Sequence, residues 1–133
     1  MLSQIAPIPT LPTKDMAAAR RFYEEVLGFP QGEEQMDGVL FKAGPGQFFL
    51  YESDFAGTNK ATAMSFELDQ TSFDADIAAL RSKGVHFQTF DLPDGIPGEW
   101  NDGVVTMGPV KAVWFADPDG NIINVETGLA HSG

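Results

Sequence analysis

Asp15-Met16-Ala17-Ala18-Ala19-Arg20-Arg21-Phe22-Tyr23-Glu24-Glu25-Val26-Leu27-Gly28-Phe29 is the stretch that decides the fold class of this chain. Ala19, Phe22, Tyr23 and Val26 recur at helical spacing, while Arg20, Arg21, Glu24 and Glu25 take the other face. Asp15 is the candidate N-cap, because its short carboxylate can accept an orphan amide of the first turn. Gly28 stands where the helix ends, since glycine enters the left-handed conformation without a steric penalty. Upstream, Ile5 to Leu11 alternates apolar residues with Pro7 and Pro9. Proline cannot donate to a ladder, so a strand here belongs at a sheet edge. Downstream, Val39 to Lys42, the turn Gly44-Pro45-Gly46, and Phe48 to Glu52 read as a hairpin.

The pattern then starts again. Thr62 to Leu68 reads as a strand and Ser72 as an N-cap, with Asp74 and Asp76 in the first turn, where the helix dipole favours negative charge. Phe73, Ile77 and Leu80 line one face of that helix, and Gly84 ends it as Gly28 ends the first. Val85 to Phe90 reads as a strand. Val110 to Ala116 and Ile122 to Val125 form a second hairpin across Asp117-Pro118-Asp119-Gly120, where proline sets φ and glycine supplies positive φ. Strand, helix and strands therefore occur twice. The second copy carries an added stretch, Asp91 to Pro109, which includes Trp100. It reads either as a lid-like loop or as a variable connection. These observations imply one α+β domain over residues 1–133, with module 1 at about 4–54 and module 2 at about 61–128.

Composition narrows the partners. The net charge of -11 repels phosphate backbones and anionic headgroups, which argues against nucleic acid and membrane surfaces. There is no cysteine, so neither a disulfide framework nor a thiolate metal site or nucleophile is available. No basic leader and no membrane-length apolar run is visible, and a cytoplasmic location is the expectation.

The Asp15–Phe29 stretch resembles the first helix of the vicinal oxygen chelate superfamily, the group of glyoxalases, extradiol dioxygenases and bleomycin-resistance proteins. Val113-Trp114-Phe115-Ala116-Asp117-Pro118-Asp119-Gly120-Asn121-Ile122-Ile123 is similar to that family's closing hairpin. The resemblance covers nearly the whole chain. It implies two βαβββ modules forming a glyoxalase-like cupped sheet, with the helices outside and strand residues alternating between helix and cup. It also implies, in the metal enzymes of the family, His, Glu or Gln ligands on the first and last strands of each module, leaving sites open for vicinal substrate oxygens. The family pattern puts the corresponding positions at Ile8, Leu50, Ala63 and Asn124. Only one weak, neutral donor stands among them, so no metal and no cofactor is expected.

What remains is a cup with aromatic walls. Tyr51, Trp100 and Trp114 are candidate lining residues, because neighbouring aromatics on a strand cannot all face the helices. Ser65, Glu67, Asn124 and Glu126 are candidate polar groups in it. Glu67 and Glu126 read either as an acid/base pair or as solvated strand-end carboxylates. His86 points opposite to Val85 and Phe87, toward cup or solvent, and His131 lies in a Gly/Ser-flanked tail. No Ser-His-Asp set, phosphate-cradling loop or basic stripe is present. By resemblance, the expectation is metal-free binding or sequestration of a small molecule, cationic or aromatic, by a homodimer. The alternative is a metal-dependent lyase, isomerase or dioxygenase with a noncanonical site.

Overall fold

The computed structural model describes residues 1–4 and 6–128, which leaves Ile5 and the predicted tail position of His131 outside the described residues. Two compact units are present. The first comprises Met1–Ala63 together with Asp117–Asn121, and the second comprises Met64–Ala116 and the segment from Ile122 onward.

In the first unit, β1 (Thr10–Thr13) leads into α1 (Met16–Arg21), which continues as a π-helical turn over Phe22–Val26. Strands β2 (Glu33–Gln35), β3 (Gly38–Ala43) and β4 (Gly46–Glu52) follow. The sheet order is β1-β4-β3-β2, with β1 parallel to β4 and the other pairs antiparallel. Asp15 caps α1 as expected: its carboxylate accepts the Ala18 amide at 3.1 Å. The widened turn is closed by the Leu27 amide donating to the Phe22 carbonyl at 2.9 Å, and Gly28 follows with φ +80°.

The first strand lies at the edge, where Pro12 within it has no amide to give, and it starts at Thr10, with residues 6–9 outside it. Pro7 and Pro9 have no amide to give. Pairing begins with the Pro9 carbonyl, which accepts from Phe49 at 2.8 Å. Alternation then puts Leu11, Thr13, Val39, Phe41, Phe48 and Leu50 in the core. The Tyr23 ring meets Phe41 and Phe48 at centroid distances of 5.7 and 5.2 Å. This apolar face is the one α1 and its π-turn cover.

In the second unit, β5 (Thr62–Glu67) begins within the last residues of the first, and α2 (Gln70–Ser82) follows it. Strands β6 (Glu99–Asn101), β7 (Val104–Met107), β8 (Val110–Ala116) and β9 (Ile122–Thr127) complete a sheet of order β5-β9-β8-β7-β6. Ser72 is not the N-cap. Asp69 holds that position in extended conformation, and its carbonyl already accepts from Ser72 and Phe73, so the helix is wound by the time it reaches Ser72.

Two further expectations are corrected. Val85 to Phe90 is not a strand, although the Gln88 amide donates to the Trp114 carbonyl at 2.7 Å. β7 pairs with β8 only from Val110 to Ala112, and the 85–90 segment meets β8 farther along. Asp91 to Pro109 is not a loop throughout. It holds β6 and β7, joined by Asp102-Gly103, both with positive φ (55° and 83°) as a two-residue type I′ hairpin turn requires. The second module is therefore a βαβββ unit widened by one edge strand.

Candidate aromatic site on the second unit

The sheet of the second unit has two faces, and the register separates them. Trp114 stands opposite Asn124, Ala112 opposite both Glu126 and Val105, and Val105 opposite Trp100. Cross-strand partners share a face. The other face carries Lys111, Val113, Phe115 and Val125, and α2 packs there. Phe115 meets Phe87 at 6.2 Å, the Arg81 guanidinium lies 5.0 Å from the Phe87 ring, and Lys111 reaches Asp74 at 3.4 Å. Trp100, Trp114, Asn124 and Glu126 thus lie together on the face away from α2.

Phe90 joins them from the 85–90 segment. Its ring meets Trp100 at 5.3 Å and Trp114 at 4.9 Å, both edge-to-face, and the two indoles are 6.3 Å apart at 60°. Edge-to-face packing sets the positive rim of one ring against the negative face of the next. Trp100 and Trp114 are half-buried and Phe90 is exposed, so ring surface is left to receive a ligand. Asn124 is buried, its amide donating to the Val113 carbonyl at 3.2 Å, and Glu126 is half-buried on the same face. Phe90 was missed by the sequence reading because period-two alternation in a supposed strand gave it no special place.

The remaining predicted residues are distributed elsewhere. Ser65 and Glu67 project together from β5, an edge strand, where both are exposed. Tyr51 belongs to the first unit, on the β4 face away from the core. His86 is exposed and lines a surface cleft of about 380 Å³ with Arg81, Phe87 and Asp102.

The donor set does not fit a divalent cation. Ile8 precedes β1 and is exposed, while Leu50 is wholly buried on the helix-packed face, a correction to its assignment to the cup. The β4 residues on the opposite face are Gln47, Phe49 and Tyr51, of which Gln47 offers only a neutral carbonyl and none a carboxylate or imidazole. Ala63 has no donor, and Asn124, whose Nδ2 donates to the Val113 carbonyl, offers a single neutral carbonyl oxygen. Among the described residues no three His, Asp or Glu side chains gather as a cation site.

The most saturated polar cluster lies in the first unit and is structural. Asp117 Oδ1 accepts the Asp119 and Asn121 amides at 2.9 Å each, and Oδ2 accepts the Tyr23 hydroxyl at 2.7 Å and Asn121 Nδ2 at 2.8 Å. Asn121 Nδ2 also donates to the Pro12 carbonyl at 3.0 Å. Burial, and then the Asp117 carboxylate, push the Tyr23 phenol well above its ordinary value. A phenol so held keeps its proton and is no base.

A strand–helix–strands module written twice, with α1 and α2 each covering one face of its own sheet, defines the class of duplicated α+β domains. The sequence model of the Glyoxalase/Bleomycin resistance protein/Dioxygenase superfamily matches residues 2–125, and the chain belongs to that superfamily. Its architecture is the two-module glyoxalase-like cupped-sheet fold. Solved structures agree at low identity. The fosfomycin resistance protein FosX from Listeria monocytogenes aligns with TM-score 0.68 and 15% identity over 94% of this chain and 93% of that one. FosX from Mesorhizobium loti gives 0.65 and 14% over 94% and 92%. Lactoylglutathione lyase from Agrobacterium tumefaciens gives 0.64 and 19% over 93% and 94%. At these identities the likeness concerns the fold. No curated protein matches the chain. No helix among the described residues is long and apolar enough to cross a membrane.

Proposed function

We propose that this protein binds a small, flat, cationic aromatic molecule without a metal ion, in the manner of a sequestering protein. The observation that carries this reading is the Phe90–Trp100–Trp114 cluster, which shares its sheet face with the Glu126 carboxylate. Indole faces attract a flat cation through dispersion and the ring quadrupole, and a carboxylate beside them favours positive charge. The net charge of -11 draws cations toward the molecule as a whole. The donor set described above gives a divalent ion too little to replace its water. We place the protein in the cytoplasm as a homodimer whose two modules act as one domain over residues 1–133, with Tyr51, Ser65 and Glu67 as further ligand contacts. Nucleic acid and membranes are not among its partners.

The test is direct because Trp100 and Trp114 are the chain's only tryptophans, so all indole emission reports on this cluster. Titration with an N-methylacridinium dye should quench that emission saturably and raise the Tm with dye concentration. Absence of both effects across a panel of flat cations would refute the reading. So would stoichiometric Zn, Ni, Mn or Fe in protein purified without chelator, which would instead favour a metal-dependent lyase, isomerase or dioxygenase.

A further inference from the structure

The hairpin that carries Trp100 is anchored at its turn. β6 pairs with β7 alone and is the last strand of the sheet, so nothing in the sheet itself holds its outer side. Its turn, Asp102-Gly103, instead reaches the end of α2. Asp102 Oδ2 pairs with Arg81 Nη1 at 3.3 Å, and the Arg81 guanidinium lies over the Phe87 ring at 5.0 Å. Gly103 sits directly on Phe87: a Cβ added there would lie 2.9 Å from the Phe87 Cβ. Three residues beyond Phe87 in the chain comes Phe90, which packs edge-on against both indoles. Between them the Gln88 amide donates to the carbonyl of Trp114 itself. One short segment therefore touches the hairpin turn with Phe87, the sheet with Gln88 and the aromatic cluster with Phe90.

From this arrangement we infer that Arg81, Phe87 and Gly103 form a clasp that holds Trp100 against Trp114 and so sets the affinity of the aromatic site, with Arg81 as a positioning residue. This rests on the binding reading given above. Arg81 touches neither indole; it acts by fixing the turn of the hairpin two positions from Trp100. The exposed Arg81–Asp102 pair contributes modestly by itself, and the guanidinium–ring contact and the glycine seat act with it.

The experiment reads position and binding separately. Two indoles 6.3 Å apart at 60° give an exciton couplet in circular dichroism, and with two tryptophans in the chain it has one assignment. In ligand-free protein, Arg81→Ala and Gly103→Ala should each reduce the couplet, while the far-ultraviolet sheet signal and cooperative unfolding persist. Binding of the N-methylacridinium dye should weaken about fivefold in Arg81→Ala, the scale of an exposed ion pair with a cation–π contact. Arg81→Lys, which keeps the charge and the reach, should recover part of both. An unchanged couplet in folded Arg81→Ala overturns the clasp. A reduced couplet with unchanged dye affinity overturns its role in binding. Failure of the wild-type protein to bind dye strikes the functional reading and leaves the couplet result standing, so the two failures are distinguishable.

Discussion

The hydroxyl of Tyr23 donates to Asp117 Oδ2 at 2.7 Å, joining residues 94 positions apart inside the first unit. Tyr23 is fully buried among Phe29, Phe41 and Phe48, and Asp117 spends both oxygens on four donors. The two motifs that mark the superfamily in the sequence meet at this one bond.

Tyr23→Phe keeps the ring and removes the donor. Asp117 Oδ2 is then left with Asn121 Nδ2, and the loss of a buried bond to a charged group costs about 1–3 kcal/mol. The Tm should fall by several degrees in thermal denaturation followed by circular dichroism. A change within half a degree would show that the bond is dispensable.

Alkaline pH should destabilise the fold through the same residue. Tyr23 in the folded chain is held above the ordinary phenol value of 10.0, first by burial and then by Asp117. Its contribution is fully present below that value and is lost as pH rises above it, where the unfolded chain releases a proton that the folded chain keeps. In a Tyr51→Phe background, Tyr23 is the sole tyrosine. Its phenolate absorbance should then appear only together with unfolding; phenolate in folded protein would contradict the assignment.

Gly38→Ala tests the tightest approach in the first sheet. Gly38 pairs with Tyr51, and a Cβ there would collide with the Leu50 carbonyl and crowd the Phe49 ring. Backbone cannot yield as a side-chain end can, so the variant should lose about 2 kcal/mol or more in urea denaturation. Gly28→Ala, with positive φ but open space around the Cβ, should lose less, about 1 kcal/mol.

Within the aromatic site, Trp114→Phe should keep most dye affinity and Trp114→Ala should lose about tenfold, since an aromatic pair is worth about 0.5–1.5 kcal/mol beyond its buried area. Equal affinity in both variants, read by thermal shift, would remove Trp114 from the site.

Much of this was legible in the sequence. The helical spacing after Asp15, the two hairpins and the repeat are local patterns, and each formed where expected within a few residues. The errors have physical causes. Val85 and Phe87 alternate like a strand, but Phe87 is buried by Arg81 and Phe115 on the helix side while the backbone gains a single bond to β8. Ser72 looked like a cap because capping chemistry is shared by several nearby residues, and Asp69 came first. The β6–β7 hairpin had a readable signal, Asp102-Gly103 between Trp100 and Val105, which was masked by the surrounding prolines and glycines. Trp114 was nameable as an open-face candidate from alternation, while Trp100 lay in a stretch that read as a loop. Their meeting with Phe90 was not nameable, because it depends on how an irregular segment crosses the sheet.

The membership of residues 117–121 in the first unit bears on how the chain could be divided. A fragment ending at Ala63 would carry every strand and helix of the first module yet lack Asp117 and Asn121, leaving the Tyr23 hydroxyl and the Pro12 carbonyl without their partners. The repeat is visible in the text of the sequence, but severing the chain at its boundary would strip the first sheet and helix of these two bonds.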